Sequence, residues 1–165
     1  NEVLKIALKN KPNFICIVPE KRKEVTTEGG LDLSKNFNKI QKFIKKFKNK
    51  KIRTSLFIDP NLKDIKKAKE LNVDCIELHT GKISDLIKSK KKYTNEYEKI
   101  KKCCEIAKIN GLEVHAGHGL DYKTTKILSK INEIEEFNIG HFIIGESIVH
   151  GLKYTIKKFK KISKS

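Results

Sequence analysis

Two short stretches, Ala116-Gly117-His118-Gly119-Leu120-Asp121-Tyr122 and Asn138-Ile139-Gly140-His141, each set a histidine beside a glycine where an apolar run gives way to a helical pattern. Parallel α/β sheets keep their ligand sites at that kind of junction. Imidazole moves a proton near neutral pH, glycine lets backbone approach a ligand, and the following helix offers unpaired N–H groups to an anion. Two such junctions in one chain predict an enzyme acting on a phosphorylated small molecule.

His118, between Gly117 and Gly119, is the strongest candidate for general acid or base. His79, His115 and His141 also fall at or just past the end of strand-like runs, while His150 lies within the last helical pattern and reads as a surface or packing residue. On a strand, the spacing of His115 and His118 turns them to opposite faces, so H-x-x-H is a poor metal pair. Glu77 stands between apolar neighbours in Ile76-Glu77-Leu78-His79-Thr80-Gly81. A carboxylate there is costly unless paired. It either faces a barrel mouth, stabilising positive charge or holding a proton with a raised pKa, or it pairs with a core lysine or arginine. Gly140, His141 and Gly145 around the last strand, with Gly119 at the preceding one, suit a phosphate cradle. The polar loop Pro19-Glu20-Lys21-Arg22 through Thr26-Thr27-Glu28-Gly29-Gly30 can serve an anionic substrate or form a clamp of salt bridges.

The elements that must position these groups follow from periodicity. Five strand-like runs are expected at 14–18, 54–58, 75–79, 112–116 and 137–139 near 142–144. Helical stripes lie between them: Phe37, Ile40, Phe43, Ile44 and Phe47; Leu62, Ile65, Ala68 and Leu71; and Tyr97, Ile100, Cys103, Cys104 and Ala107, ending at Asn110-Gly111. A short helix is expected over 121–130 and a longer one over 146–161, with an initial helix stopped by Lys11-Pro12. One helix followed by five strand–helix units predicts an α/β fold with parallel strands. At ~31 residues per unit, five units take ~155, which suits the last five units of a (β/α)8 TIM-type barrel. An open doubly wound sheet is the alternative, because periodicity does not distinguish the two. The whole of 1–165 reads as a single domain.

Bulk composition narrows the classes. The chain of 165 residues has a formal net charge of +17, yet only Arg22 and Arg53 among its 37 basic residues are arginine. Groove and phosphate readers favour arginine's bidentate fork, so the lysines read as a solvated surface and no nucleic-acid partner is expected. No apolar run reaches the ~18 residues of a spanning helix, and no secretory signal opens the chain, so neither membrane nor export is expected. Cys16, Cys75, Cys103 and Cys104 form no C-x-x-C pair, which disfavours zinc and fits reduced thiols in a cytoplasmic protein. The chain begins at Asn1 and contains no methionine, so its natural start is expected to lie upstream.

VPEKR with EVTTEGGLD, SLFIDP, IELHTG, AGHGLDY, and NIGH with IIGE together resemble the pyridoxine 5′-phosphate synthase family over nearly the whole chain. The resemblance implies a (β/α)8 barrel that condenses 3-amino-2-oxopropyl phosphate with 1-deoxy-D-xylulose 5-phosphate. The products are pyridoxine 5′-phosphate, inorganic phosphate and water. It implies no metal and no organic cofactor, and a cytoplasmic homo-oligomer, typically an octamer. By motif, His118 resembles the family's proton donor and Glu77 its transition-state stabiliser. Gly119, Gly140 and His141 resemble contacts to the aminooxopropyl phosphate, and Thr26 a contact to the deoxyxylulose phosphate. The family's first three strands carry an Asp-His pair, a histidine with arginine and a glutamate base, none of which is in this sequence. The resemblance therefore covers the C-terminal portion, a barrel incomplete at its N-terminus and expected to be inactive alone. The rival readings are a basic nucleic-acid-binding protein and a catalytically inactive remnant.

Overall fold

The structure is a computed structural model that describes residues 2–19 and 29–163. Helix α1 (Glu2–Asn10) stops at Lys11, whose φ of 47° leaves the helical region just before Pro12. Strands β1 (Phe14–Ile17), β2 (Arg53–Ile58), β3 (Cys75–His79), β4 (Glu113–Gly117) and β5 (Ile134–Asn138) follow, separated by helices. Helix α2 (Leu33–Lys48) begins where the Asp32 carboxylate accepts from the N–H groups of Ser34 and Lys35. Helix α3 (Leu62–Glu70) is capped in the same way by Asn61, and α6 (Tyr122–Leu128) by Asp121. Such caps satisfy the N–H groups a helix leaves unpaired at its start. Helix α5 (Thr94–Ile109) ends at Asn110 and Gly111, the latter at φ 73°, as the sequence pattern predicts.

Among the described residues all strands are parallel, in the unbroken order β1-β2-β3-β4-β5. A doubly wound sheet reverses its strand order at a switch point. The absence of any reversal here decides for consecutive units of a (β/α)8 barrel. Side chains alternate across the sheet. Leu56, Ile58, Ile76, Leu78 and Val114 pack with Ile40, Ile44, Ile65, Ile83, Ile100, Cys103 and Leu128 of the helical layer to form the core. The alternate positions carry Cys16, Phe57, Glu77, His79 and His115 on the other face, where Cys16 meets Glu77, Phe57 packs on His79 and His115 acts on the Glu77 charge. Charged groups therefore converge on one side of the sheet while the other stays apolar.

Three sequence expectations need correction. The run Phe142-Ile143-Ile144 is helical, lying in α7 (His141–His150), and the strand before it is Ile134–Asn138. Gly145 accordingly sits inside α7 and not in a strand–helix loop. The single long C-terminal helix is two helices, α7 and α8 (Leu152–Ile162), broken at Gly151 with φ 81°. Helix α4 (Gly81–Lys88) was not anticipated and gives the third unit two helices.

Candidate active site

The C-terminal ends of β3, β4 and β5 bring the candidate residues together around one cavity of about 790 Å³. Its lining includes Glu77, His118, Gly119, Asn138, Gly140 and His141. Five of the six residues singled out from sequence therefore share one cavity. The sixth, Thr26, lies outside the described residues.

His118 follows β4 directly and holds a φ of 76°, a left-handed conformation that side chains rarely adopt. Because the residue lies past the strand, alternation does not govern its direction. The turn is fixed by Thr80, whose single hydroxyl proton is shared between the carbonyls of Gly117, 2.8 Å away, and of His118, 2.7 Å away. Burial, and then the neighbouring His79, hold the His118 imidazole below the ordinary histidine range. The neutral ring is favoured, so its protonated form is a stronger acid than ordinary imidazolium and gives up its proton more readily.

Glu77, in mid-strand, accepts from Asn138 Nδ2 at 3.1 Å and from the Cys16 thiol at 3.7 Å. Among the described residues no lysine or arginine pairs with it, so the alternative of a core salt bridge is not realised there. Burial raises its pKa above the usual carboxylate range, against the opposing hydrogen bond from Cys16 and the charge of His115. Burial, with Glu77 alongside, pushes the Cys16 thiol up to about 12, so Cys16 stays protonated and donates. Gly117 is required by this arrangement, since a Cβ there would overlap Glu77 Oε1. The sequence singled out the glycines beside His118 for backbone freedom. The demand on Gly117 is instead space for a carboxylate from the next strand.

His141 opens α7, and Gly140 caps that helix with no side-chain hydrogen bond. Among the described residues no side chain caps the first-turn N–H groups of α7, and Gly140 and His141 at that helix start line the cavity. Gly119, at φ 75°, has Ser84 of α4 3.1 Å from where a Cβ would stand. Lys88 Nζ, also on α4, donates to the Gly119 carbonyl at 2.9 Å.

His115 does not belong to this rim. It is the central residue of β4, 2% exposed, with Nε2 2.8 Å from Glu113 and Nδ1 3.6 Å from Glu136. The two-residue period of the strand aims it deeper into the interior. His79, the last residue of β3, does reach the rim, with its ring centroid 4.7 Å from that of His118. His150 ends α7 as an exposed residue 3.7 Å from Glu146, which fits the surface reading. Sequence reasoning missed Asp59, whose carboxylate meets both His79 and the Gly30 N–H. The only signal was its place at the end of an apolar strand, and a turn-forming Asp-Pro explains that equally well.

The family model for pyridoxal phosphate biosynthesis protein PdxJ matches residues 1–165. The chain belongs to the PdxJ family. It is 74% identical over 98% of its length to a pyridoxine 5′-phosphate synthase of Pelagibacter ubique, covering 68% of that protein. It is 45% identical to one of Sulfurihydrogenibium sp. and 41% identical to one of Ehrlichia ruminantium, covering 65% and 66% of them. The chain thus spans about two thirds of the length of these PdxJ relatives. Among solved structures, the tryptophan synthase A-subunit of Pyrococcus furiosus superposes on 97% of the chain with a TM-score of 0.60 at 16% identity. That likeness concerns the fold alone, and agrees with consecutive units of a barrel.

Proposed function

We propose that this PdxJ-family chain serves the pyridoxine 5′-phosphate synthase reaction, the condensation of 3-amino-2-oxopropyl phosphate with 1-deoxy-D-xylulose 5-phosphate. The observation that carries the reading is the meeting of His118, Glu77, Gly119, Gly140 and His141 at one cavity, on a chain whose relatives bear that enzyme's name. A phosphate ester fits against Gly119 and the start of α7, where free N–H groups and the helix dipole favour an anion. The reaction expels water and phosphate; phosphate can leave as the anion, whereas a hydroxyl must be protonated to leave as water. His118, with its depressed pKa, delivers that proton to the hydroxyl oxygen, and its neutral ring then takes a replacement proton from the substrate or solvent. Glu77, buried and hydrogen-bonded by Asn138 and Cys16, faces the positive charge that develops on a condensing amine. By its motif, Thr26 serves as a contact to the deoxyxylulose phosphate. We further propose cytoplasmic assembly as a homo-oligomer. No described helix is long and apolar enough to cross a membrane.

The test is formation of pyridoxine 5′-phosphate from the two substrates by the protein at its full natural length. Wild-type turnover is expected, with a fall of about 10²–10⁴ in kcat for His118→Ala. Full activity of that variant would remove His118 from the chemistry.

A further inference from the structure

Three side chains stand in a row across the top of the sheet: Asp59 directly after β2, His79 at the end of β3, and His118 directly after β4. Asp59 Oδ1 accepts from the Gly30 N–H at 3.1 Å and lies 3.1 Å from His79 Nδ1. A carboxylate accepts and does not donate, so Nδ1 carries the proton and the ring's orientation is set. Phe57 packs edge-on against the His79 ring at 5.3 Å. Gly81 closes the other side: a Cβ there would stand 2.8 Å from His79 Nε2 and 3.0 Å from His118 Cδ2. His79 is therefore held on three sides, and among the described residues its ring also meets that of His118. It does not line the cavity that holds Glu77; it borders a second depression with Lys82 and Asp85, and His118 lines both.

We propose that Asp59 and His79 are positioning residues for His118: the carboxylate fixes the His79 ring, and that ring fixes the plane of His118 at the cavity wall. The kinetic consequence rests on the proton-carrying role given to His118 above, whereas the physical coupling does not. Titratable groups act on His118 from β3 (His79), from α4 (Asp85 and Lys88) and from α7 (His141). After burial, His79 contributes most to lowering its pKa; His141 and Lys88 act in the same direction and Asp85 against them. Glu77 and Glu146 border the same cavity. Removing the His79 imidazole should therefore let His118 hold its proton to higher pH.

The experiment is an NMR titration of the His118 Cε1–H in the protein at its full natural length, for wild type, His79→Gln, Asp59→Ala and Asp59→Asn. The His118 midpoint is expected to rise by about half a pH unit or more in His79→Gln. Asp59→Ala frees the His79 ring and should change the His118 titration, whereas Asp59→Asn keeps an oxygen acceptor and should restore most of the wild-type behaviour. In kinetics, His79→Gln and Asp59→Ala should lower kcat about tenfold with KM within about twofold, and the basic limb of the pH profile in His79→Gln should move upward. An unchanged His118 midpoint in folded His79→Gln overturns the proposal, as does a fall in kcat that only tracks a lower melting temperature. Asp59, about half exposed, supplies the decisive variant if His79→Gln does not fold: an unchanged titration and kcat in Asp59→Ala overturn the proposal equally. A wild-type protein inactive on the two phosphates, but with the titration coupled as described, would defeat the functional reading and leave this one standing.

Discussion

Glu77 carries a cost that its neighbours only partly offset. Its folded pKa is raised, mainly by burial, so the folded protein binds this proton more tightly than the unfolded chain does. The stability linked to that proton is complete below the unfolded value of about 4.3 and is lost as pH rises through the folded value. Glu77→Gln keeps the shape and removes the charge. It is expected to raise the melting temperature at neutral pH, with the advantage shrinking to nothing below about pH 4, while turnover falls. Melting curves between those limits check the sign; a variant less stable than wild type at neutral pH would contradict the burial argument. His118 bears a cost of another kind. A non-glycine residue in the left-handed region loses roughly 1–2 kcal/mol. His118→Gly and His118→Ala both lose the imidazole, but only glycine suits φ 76°. His118→Gly is therefore expected to be more stable than His118→Ala by about 1 kcal/mol in urea unfolding, with kcat similarly reduced in both. The conformation that aims the ring is thus maintained at the expense of stability, a trade-off common at functional sites.

At the scale of elements, the site depends on parallel register. The pairing of Glu77 with His115 and of His79 with Gly117 lays β3 and β4 so that a carboxylate lies over a residue with no side chain. Gly117→Ala is expected to displace Glu77, lowering kcat about 10²-fold or more while secondary structure by circular dichroism is retained. Full activity in that variant would mean that the Glu77 carboxylate can leave its place without consequence. The same register marks the limit of what sequence shows. The helical stripes were readable because one face of each helix is buried, as with Ile40, Ile44 and Phe47 of α2. His118, Glu77 and the Gly140–His141 junction were readable because each breaks an apolar run. Asp59 beside His79 was not, since 20 residues separate them and only the lateral placement of β2 against β3 makes them neighbours. β5 was misplaced for a different reason. Its Glu135 and Glu136 suit an outer strand that β4 covers on one side only, whereas the apolar Phe142-Ile143-Ile144 imitates a strand but packs as a helix turn. A short apolar run has no period long enough to decide.

For the whole molecule, two tendencies oppose each other. Among the described residues, β1 and β5 each leave one side without a strand partner. Following β5 in the chain, α7 and the start of α8 expose Ile144, Ile148, Val149 and Leu152, with Ile148 82% exposed. Open strand edges and contiguous apolar surface both favour association with another chain. The net charge of +17 works against any like-charged encounter. Charge repulsion is screened by salt, with a Debye length falling from about 10 Å at 0.1 M to about 3 Å at 1 M, whereas apolar burial is not weakened by that screening. The 165-residue chain is therefore expected to associate more strongly as salt rises. In sedimentation equilibrium the average mass should stand above 19.0 kDa and climb with added sodium chloride. Replacing Ile148 and Val149 with serine should reduce the association without altering the core, since both side chains are solvent-exposed. A species fixed at 19.0 kDa from low to high salt would show that neither the strand edges nor the α7 surface is sticky enough to matter, and that the lysine shell alone governs how copies of this chain meet.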